Sequence, residues 1–74
     1  MTPDQCRMAR AAARLGVRDL AVAAKVSTNT ITRFEGGEEL RPRTIEDIRR
    51  VLEAAGVQFL DNGSVAAGPG VALK

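Results

Sequence analysis

Histidine, tryptophan and tyrosine are missing from this 74-residue chain, and cysteine occurs once. Without histidine, a Ser/His/Asp triad, a Cys/His nucleophile pair and a His-ligated metal are excluded, and a single cysteine closes no internal disulfide. The carboxylates are expected on solvated helix faces with no partner able to move a proton near neutral pH, so an enzyme is not expected. Nor is a cofactor, a metal or a small-molecule ligand. Cys6 reads as a small buried hydrophobe without a chemical role. With two Phe as the only aromatics, the core has to come from Ala, Val, Leu and Ile, which favours short, closely packed helices over an aromatic sandwich.

Long apolar runs are also missing. None approaches the roughly 18–20 residues that cross a bilayer, and Met1 to Gln5 lacks the charged start and apolar stretch of a secretory signal. The expected location is the cytoplasm, with no membrane partner. The length suits one domain. Eleven Lys+Arg stand against nine Asp+Glu, a net charge of +2, and nine of the cations are Arg. This balance tolerates an anionic partner without forming a polybasic tail.

Thr2-Pro3-Asp4-Gln5 has the spacing of a capping box with proline at the first helical position, so a helix is expected from Pro3 to Ala13 or Arg14. Its inward face is expected to carry Cys6, Ala9 and Ala13, with Met8 and Ala12 alongside, and its Arg7, Arg10 and Arg14 to form a solvated stripe. After Gly16, Val17 to Lys25 resumes the helical pattern with Val17, Leu20, Ala21 and Ala24 on one side. Ser27 offers an N-cap for a third helix, Thr28 to about Gly36, in which Ile31 and Phe34 share a buried face. Gly36-Gly37 ends it.

Glu38 to Arg43 reads as a loop stiffened by Pro42. Thr44 is expected to cap a last helix, Ile45 to Ala55, with Ile45, Ile48, Leu52 and Ala55 inward and Glu46 paired to Arg50. Beyond Gly56 the pattern changes to a strand, Val57 to Leu60, then the turn signal Asp61-Asn62-Gly63, small residues through Gly70, and Val71 to Lys74 as a second strand or a frayed tail.

Two short helices joined by three residues, Lys25-Val26-Ser27, form the helix-turn-helix pattern. Ala21 is the small residue at the helix contact, and Leu20, Val26, Ile31 and Phe34 form the apolar lock. Thr28, Asn29, Thr32 and Arg33 are left pointing outward on a capped, positively polarised helix. Their chemistry fits a DNA major groove: Asn pairs bidentately with adenine, Arg with guanine, and Thr donates, accepts or offers its methyl to thymine. The competing reading is a solvated helix start, with Arg33 answering Glu35 or Asp19 at the surface.

Leu20-Ala21, Ala24, Val26-Ser27, Thr30-Ile31, Phe34-Glu35 and Gly37 resemble the signature of the Cro/phage-repressor (XRE-like) helix-turn-helix family over about residues 3–56. Arg41-Pro42-Arg43 is similar to the loop after the recognition helix in some phage repressors. The resemblance implies a compact repressor-like helical domain, and with the helices and strand signal read above the expected fold is mainly α: four helices with a short C-terminal β-strand or hairpin. It implies Thr28, Asn29 and Arg33 as base-reading positions, Thr32 as a secondary one, and Arg41 and Arg43 near the sugar-phosphate backbone, Arg43 in reach of a narrow minor groove. Ser27 is placed with these backbone contacts. Where the family often has a phosphate-binding Gln, this chain has Val17, leaving that contact to backbone N–H groups or Arg18. The glycine usual in the turn is Lys25, and a strand signal replaces the family's frequent fifth helix.

On this reading residues 1–56 form the DNA-binding domain and 57–74 a strand or hairpin and tail. The expected function is a sequence-specific regulator of transcription that binds double-stranded DNA as a homodimer on a palindrome-like operator. One short helix buries too little surface to supply specific affinity alone. Val57, Phe59 and Leu60 are the positions at which an edge strand could pair with a second copy, the alternative being that the strand only covers its own helices. The runner-up function keeps the fold but binds a regulatory protein, as an antitoxin or an inhibitor of a regulator.

Overall fold

In the computed structural model, which describes residues 1–60 and 70–73, four helices are followed by a two-stranded antiparallel hairpin. The helices are α1 (Pro3–Ala12), α2 (Val17–Ala24), α3 (Thr28–Glu35) and α4 (Pro42–Ala54), and the strands are β1 (Val57–Leu60) and β2 (Gly70–Leu73). The register pairs Val57 with Leu73 and Phe59 with Val71. The second strand of the expected hairpin therefore forms, from Gly70 to Leu73, and Lys74 lies outside the described residues. The turn expected at Asp61-Asn62-Gly63 and the small residues after it lie outside the described residues.

The capping box at α1 forms: Gln5 N–H donates to Thr2 Oγ1 at 3.1 Å, and Gln5 Oε1 accepts from Thr2 N–H at 2.9 Å. Gln5 is also buried, and its Nε2 donates to the carbonyls of Leu60 (3.0 Å) and Gly70 (3.1 Å), pinning the Leu60–Gly70 end of the hairpin to α1. Its amide thus satisfies both strands where their ladder ends, where an unpartnered buried carbonyl would cost on the order of 1–3 kcal/mol.

One core joins five elements through Cys6 and Ala9 of α1, Leu20, Ala21 and Ala24 of α2, Ile31 and Phe34 of α3, Ile48 and Leu52 of α4, and Val57 and Phe59 of β1, with Val71 of β2 packed against it. Small residues at the helix contacts let the backbones approach closely. Met8, expected beside the inward face, is 39% exposed, because the 6-9-13 stripe leaves position 8 on the flank. Ala55 is exposed too: α4 has ended at Ala54, and Gly56 turns the chain with φ +98°, a conformation costly for side-chain-bearing residues.

Helix α4 starts earlier than its sequence suggests. Pro42 is its first residue rather than part of a loop, Arg41 precedes it in extended geometry (φ −59°, ψ 139°), and Thr44 is inside the helix instead of capping it. A proline needs no N–H partner at a helix start, so the sequence admits either reading and packing against α2 selects this one. The expected Glu46–Arg50 pair is replaced by Arg49–Glu53 at 3.3 Å, with the Arg49 guanidinium 4.9 Å from the Phe59 ring centroid.

The largest departure is the arginine stripe of α1. Arg10 is not solvated surface: its Nε and Nη2 bind Glu35 Oε2 and Oε1 at 2.9 and 3.0 Å, with side chains only 23% and 9% exposed. Arg7 donates to the Glu35 carbonyl, and the Cys6 thiol donates to Glu35 Oε2 at 3.4 Å. This bidentate pair clamps the end of α3 to α1. Burial, followed by the hydrogen bond to Glu35 and its charge, pushes the Cys6 thiol up to about 12.

Replacing Glu35 with Ala strands the Arg10 guanidinium at a mostly buried site and should cost about 3 kcal/mol in urea unfolding. That is a large share of the roughly 4–11 kcal/mol available to a chain of this size. The double variant Arg10→Met/Glu35→Leu should recover most of the loss. In alkali the sign follows from the thiol. Between pH 9 and about 12 the unfolded chain has released the Cys6 proton and the folded chain retains it, so stability falls as pH rises through that window. Thermal unfolding of Cys6→Ala should lack this component of the decline.

Candidate nucleic-acid interface

Helix α2, the turn and α3 form a unit closed at each junction by backbone geometry. Lys25 takes the left-handed conformation (φ 59°, ψ 43°), which lets Val26 N–H reach the Ala21 carbonyl at 3.0 Å and Lys25 N–H the Val22 carbonyl at 3.2 Å. This is the Schellman closure that glycine usually serves. Ser27 then caps α3: its Oγ accepts from Thr30 N–H at 3.1 Å and bonds Thr30 Oγ1 at 2.9 Å. The hydroxyl is thus engaged in starting the helix.

The lock beneath α3 has the expected members. Leu20, Ala21, Ile31 and Phe34 are buried and Val26 packs at the margin. Above it Thr28, Asn29, Thr32 and Arg33 are all exposed along one outer face. The helix has eight residues, roughly 12 Å at 1.5 Å per residue, comparable with the major groove's width of about 12 Å. Its N-terminal dipole adds partial positive charge at the end nearest Thr28 and Asn29.

Exposed cations stand on the two helices next to α3 in the chain. Arg18 is exposed in the first turn of α2, where Asp19 is engaged by Gly16 N–H at 3.1 Å. Arg41 and Arg43 are exposed at the start of α4, and Arg33 and Arg41 line one open cleft together with Val26, Thr30, Leu40 and Thr44 and the carboxylate-bearing Glu39. The structure therefore brings the tip of α4 beside the outer face of α3, whereas Arg18 stands apart on α2. Val57 and Phe59 are buried in this chain's own core and Leu60 is half-buried, so any pairing with a second copy through this hairpin has to use backbone edges or outward-facing atoms.

One acidic group at the ridge escapes the sequence reading. Arg33 answers neither Glu35 nor Asp19. Its Nε binds Glu38 Oε2 at 3.0 Å, with both side chains about half exposed. The available signal was Gly36-Gly37: a glycine closure returns the next residue, Glu38, to the helix's last turn. Among the described residues no group of three or more Cys, Asp or Glu is placed to hold a metal, and no helix is long and apolar enough to cross a membrane.

Lys25→Gly removes the left-handed strain and should raise stability by up to about 1 kcal/mol, part of the gain being lost to the unfolded chain's greater freedom. Urea midpoints of the two proteins check this.

A family model described as a helix-turn-helix domain matches residues 4–60. No curated protein matches the chain significantly.

Proposed function

Because this chain belongs to the helix-turn-helix domain family, a group of DNA-binding domains, we propose that it is an XRE/Cro-like, sequence-specific regulator of transcription that reads double-stranded DNA with the outer face of α3. The observation that carries this reading is the exposed ridge of Thr28, Asn29, Thr32 and Arg33 standing on a buried aliphatic lock. Asn29 and Arg33 are the bidentate readers, each discriminating among bases by about 1–3 kcal/mol, and the threonines supply methyl and hydroxyl contacts. Arg18, Arg41, Arg43 and the N-terminal backbone of α3 around Ser27 approach phosphates and set the register, Arg43 reaching toward the minor groove.

A monomer presents one short helix. Two copies related by a two-fold axis would read half-sites about one helical turn apart, and linkage raises their effective concentration on a palindrome-like operator. The strand region 57–74 is the segment proposed to join them, through the hairpin edge. Regulation is by occupancy: the bound protein blocks polymerase or contacts it.

Anisotropy titration against duplexes enriched from random sequence should give salt-sensitive binding with a recovered, two-fold-symmetric motif. Equal affinity for every duplex, or a stoichiometric protein partner without any DNA footprint, would overturn this reading in favour of a protein-binding module. Asn29→Ala and Arg33→Ala should each flatten discrimination at one position, while Arg43→Ala should weaken all sequences alike and reduce the salt slope by about 1.

A further inference from the structure

Arg33 and Glu38 are connected twice. Gly37, at φ +99°, closes α3 so that its own N–H reaches the Phe34 carbonyl at 2.9 Å and Glu38 N–H reaches the Arg33 carbonyl at 3.0 Å. The Glu38 carboxylate then comes back to Arg33 Nε at 3.0 Å. Backbone and side chain together make a small closed frame around the guanidinium.

The atom that Glu38 occupies matters. A guanidinium presents five N–H donors in a planar fork, and binding at Nε leaves the four donors of the two terminal nitrogens. Among the described residues those nitrogens have no hydrogen-bond partner. Those two terminal nitrogens can still reach guanine O6 and N7 side by side, whereas the alternative fork through Nε is blocked. A free arginine has to give up its rotamer freedom on meeting a base; one already held at Nε has less to lose. As an exposed ion pair, Arg33–Glu38 contributes little to folding. An exposed carboxylate on the proposed DNA face is repelled by the polyanion, which by itself opposes DNA binding of any sequence.

We propose that Glu38 is a positioning residue for base selection: it fixes the Arg33 guanidinium with its terminal nitrogens outward and trades general DNA affinity for discrimination. The proposal rests on the base-reading role given to Arg33 above.

The test uses the duplex recovered from random-sequence enrichment and its single-base variants, with the full chain and the variants Arg33→Ala, Glu38→Ala, Glu38→Gln and Arg33→Ala/Glu38→Ala. Arg33→Ala is expected to lose about tenfold or more in discrimination at one guanine position. Glu38→Ala should lose about two- to fivefold at that same position, bind mismatched duplexes more tightly, and lower the thermal midpoint by no more than about 4 °C. Glu38→Gln keeps an acceptor for Nε and should fall between wild type and Glu38→Ala. In the Arg33→Ala background, Glu38→Ala should change discrimination no further. If Arg33→Ala loses discrimination while Glu38→Ala keeps it, or if Glu38→Ala and Glu38→Gln behave alike, the positioning role falls and the reading by Arg33 stands. If no motif is recovered, or Arg33→Ala discriminates as wild type does, both fall together.

Discussion

The orientation of the third helix depends on a carboxylate. Glu35 ends α3 inside the molecule, and Arg10 receives it with two parallel bonds from the last turn of α1. An ion pair so poorly exposed gains little net energy over an apolar contact of the same shape, since desolvation offsets attraction. Its planar, two-point geometry does what an apolar contact cannot: it fixes rotation and depth. Helix α3 is short and has Ile31 and Phe34 as its buried apolar anchors, and two such contacts alone would tolerate sliding. The pair removes that freedom, and the outer ridge inherits the precision.

The helix ends show a second constraint. Two of the helix closures, at Arg14 (φ 57°) and Lys25 (φ 59°), place long cationic side chains in the left-handed conformation, each at a cost of roughly 1–2 kcal/mol that glycine would avoid. The Schellman bonds and core contacts on both sides over-determine these turns, so the strain is tolerated. At Lys25 the strained residue lies between the two helices that present the proposed DNA face, where a cation has electrostatic value that glycine lacks.

The surface is balanced rather than uniformly basic. With a net charge of +2, the proposed binding would depend on placement more than on bulk attraction. The placement of Arg33 fits that regime: it shares a cleft with Arg41 and Glu39 and is bound at Nε by Glu38, so cations and anions alternate along the proposed DNA face.

Much of the fold was legible in the chain. The capping box at Thr2 to Gln5, the three-residue turn, the Ser27 cap and the alternation at Val57 to Leu60 depend on contacts within about five residues, where backbone sterics and periodicity act directly. The outward group of Thr28, Asn29, Thr32 and Arg33 follows from the same periodicity, because Ile31 and Phe34 set the opposite face. Some long-range features were also half written: positions 6, 9, 10 and 13 form one helical stripe and 31, 34 and 35 another, so opposite charges at 10 and 35 stand among inward residues. Only the tertiary structure decided that those stripes face each other, that Gln5 reaches the carbonyls of Leu60 and Gly70, that Pro42 begins a helix, and that Glu38 folds back on Arg33. Each is a meeting between elements, or across a turn whose hand had to be chosen, and local sequence carries the donors and acceptors of such meetings without stating which will be brought within hydrogen-bonding distance.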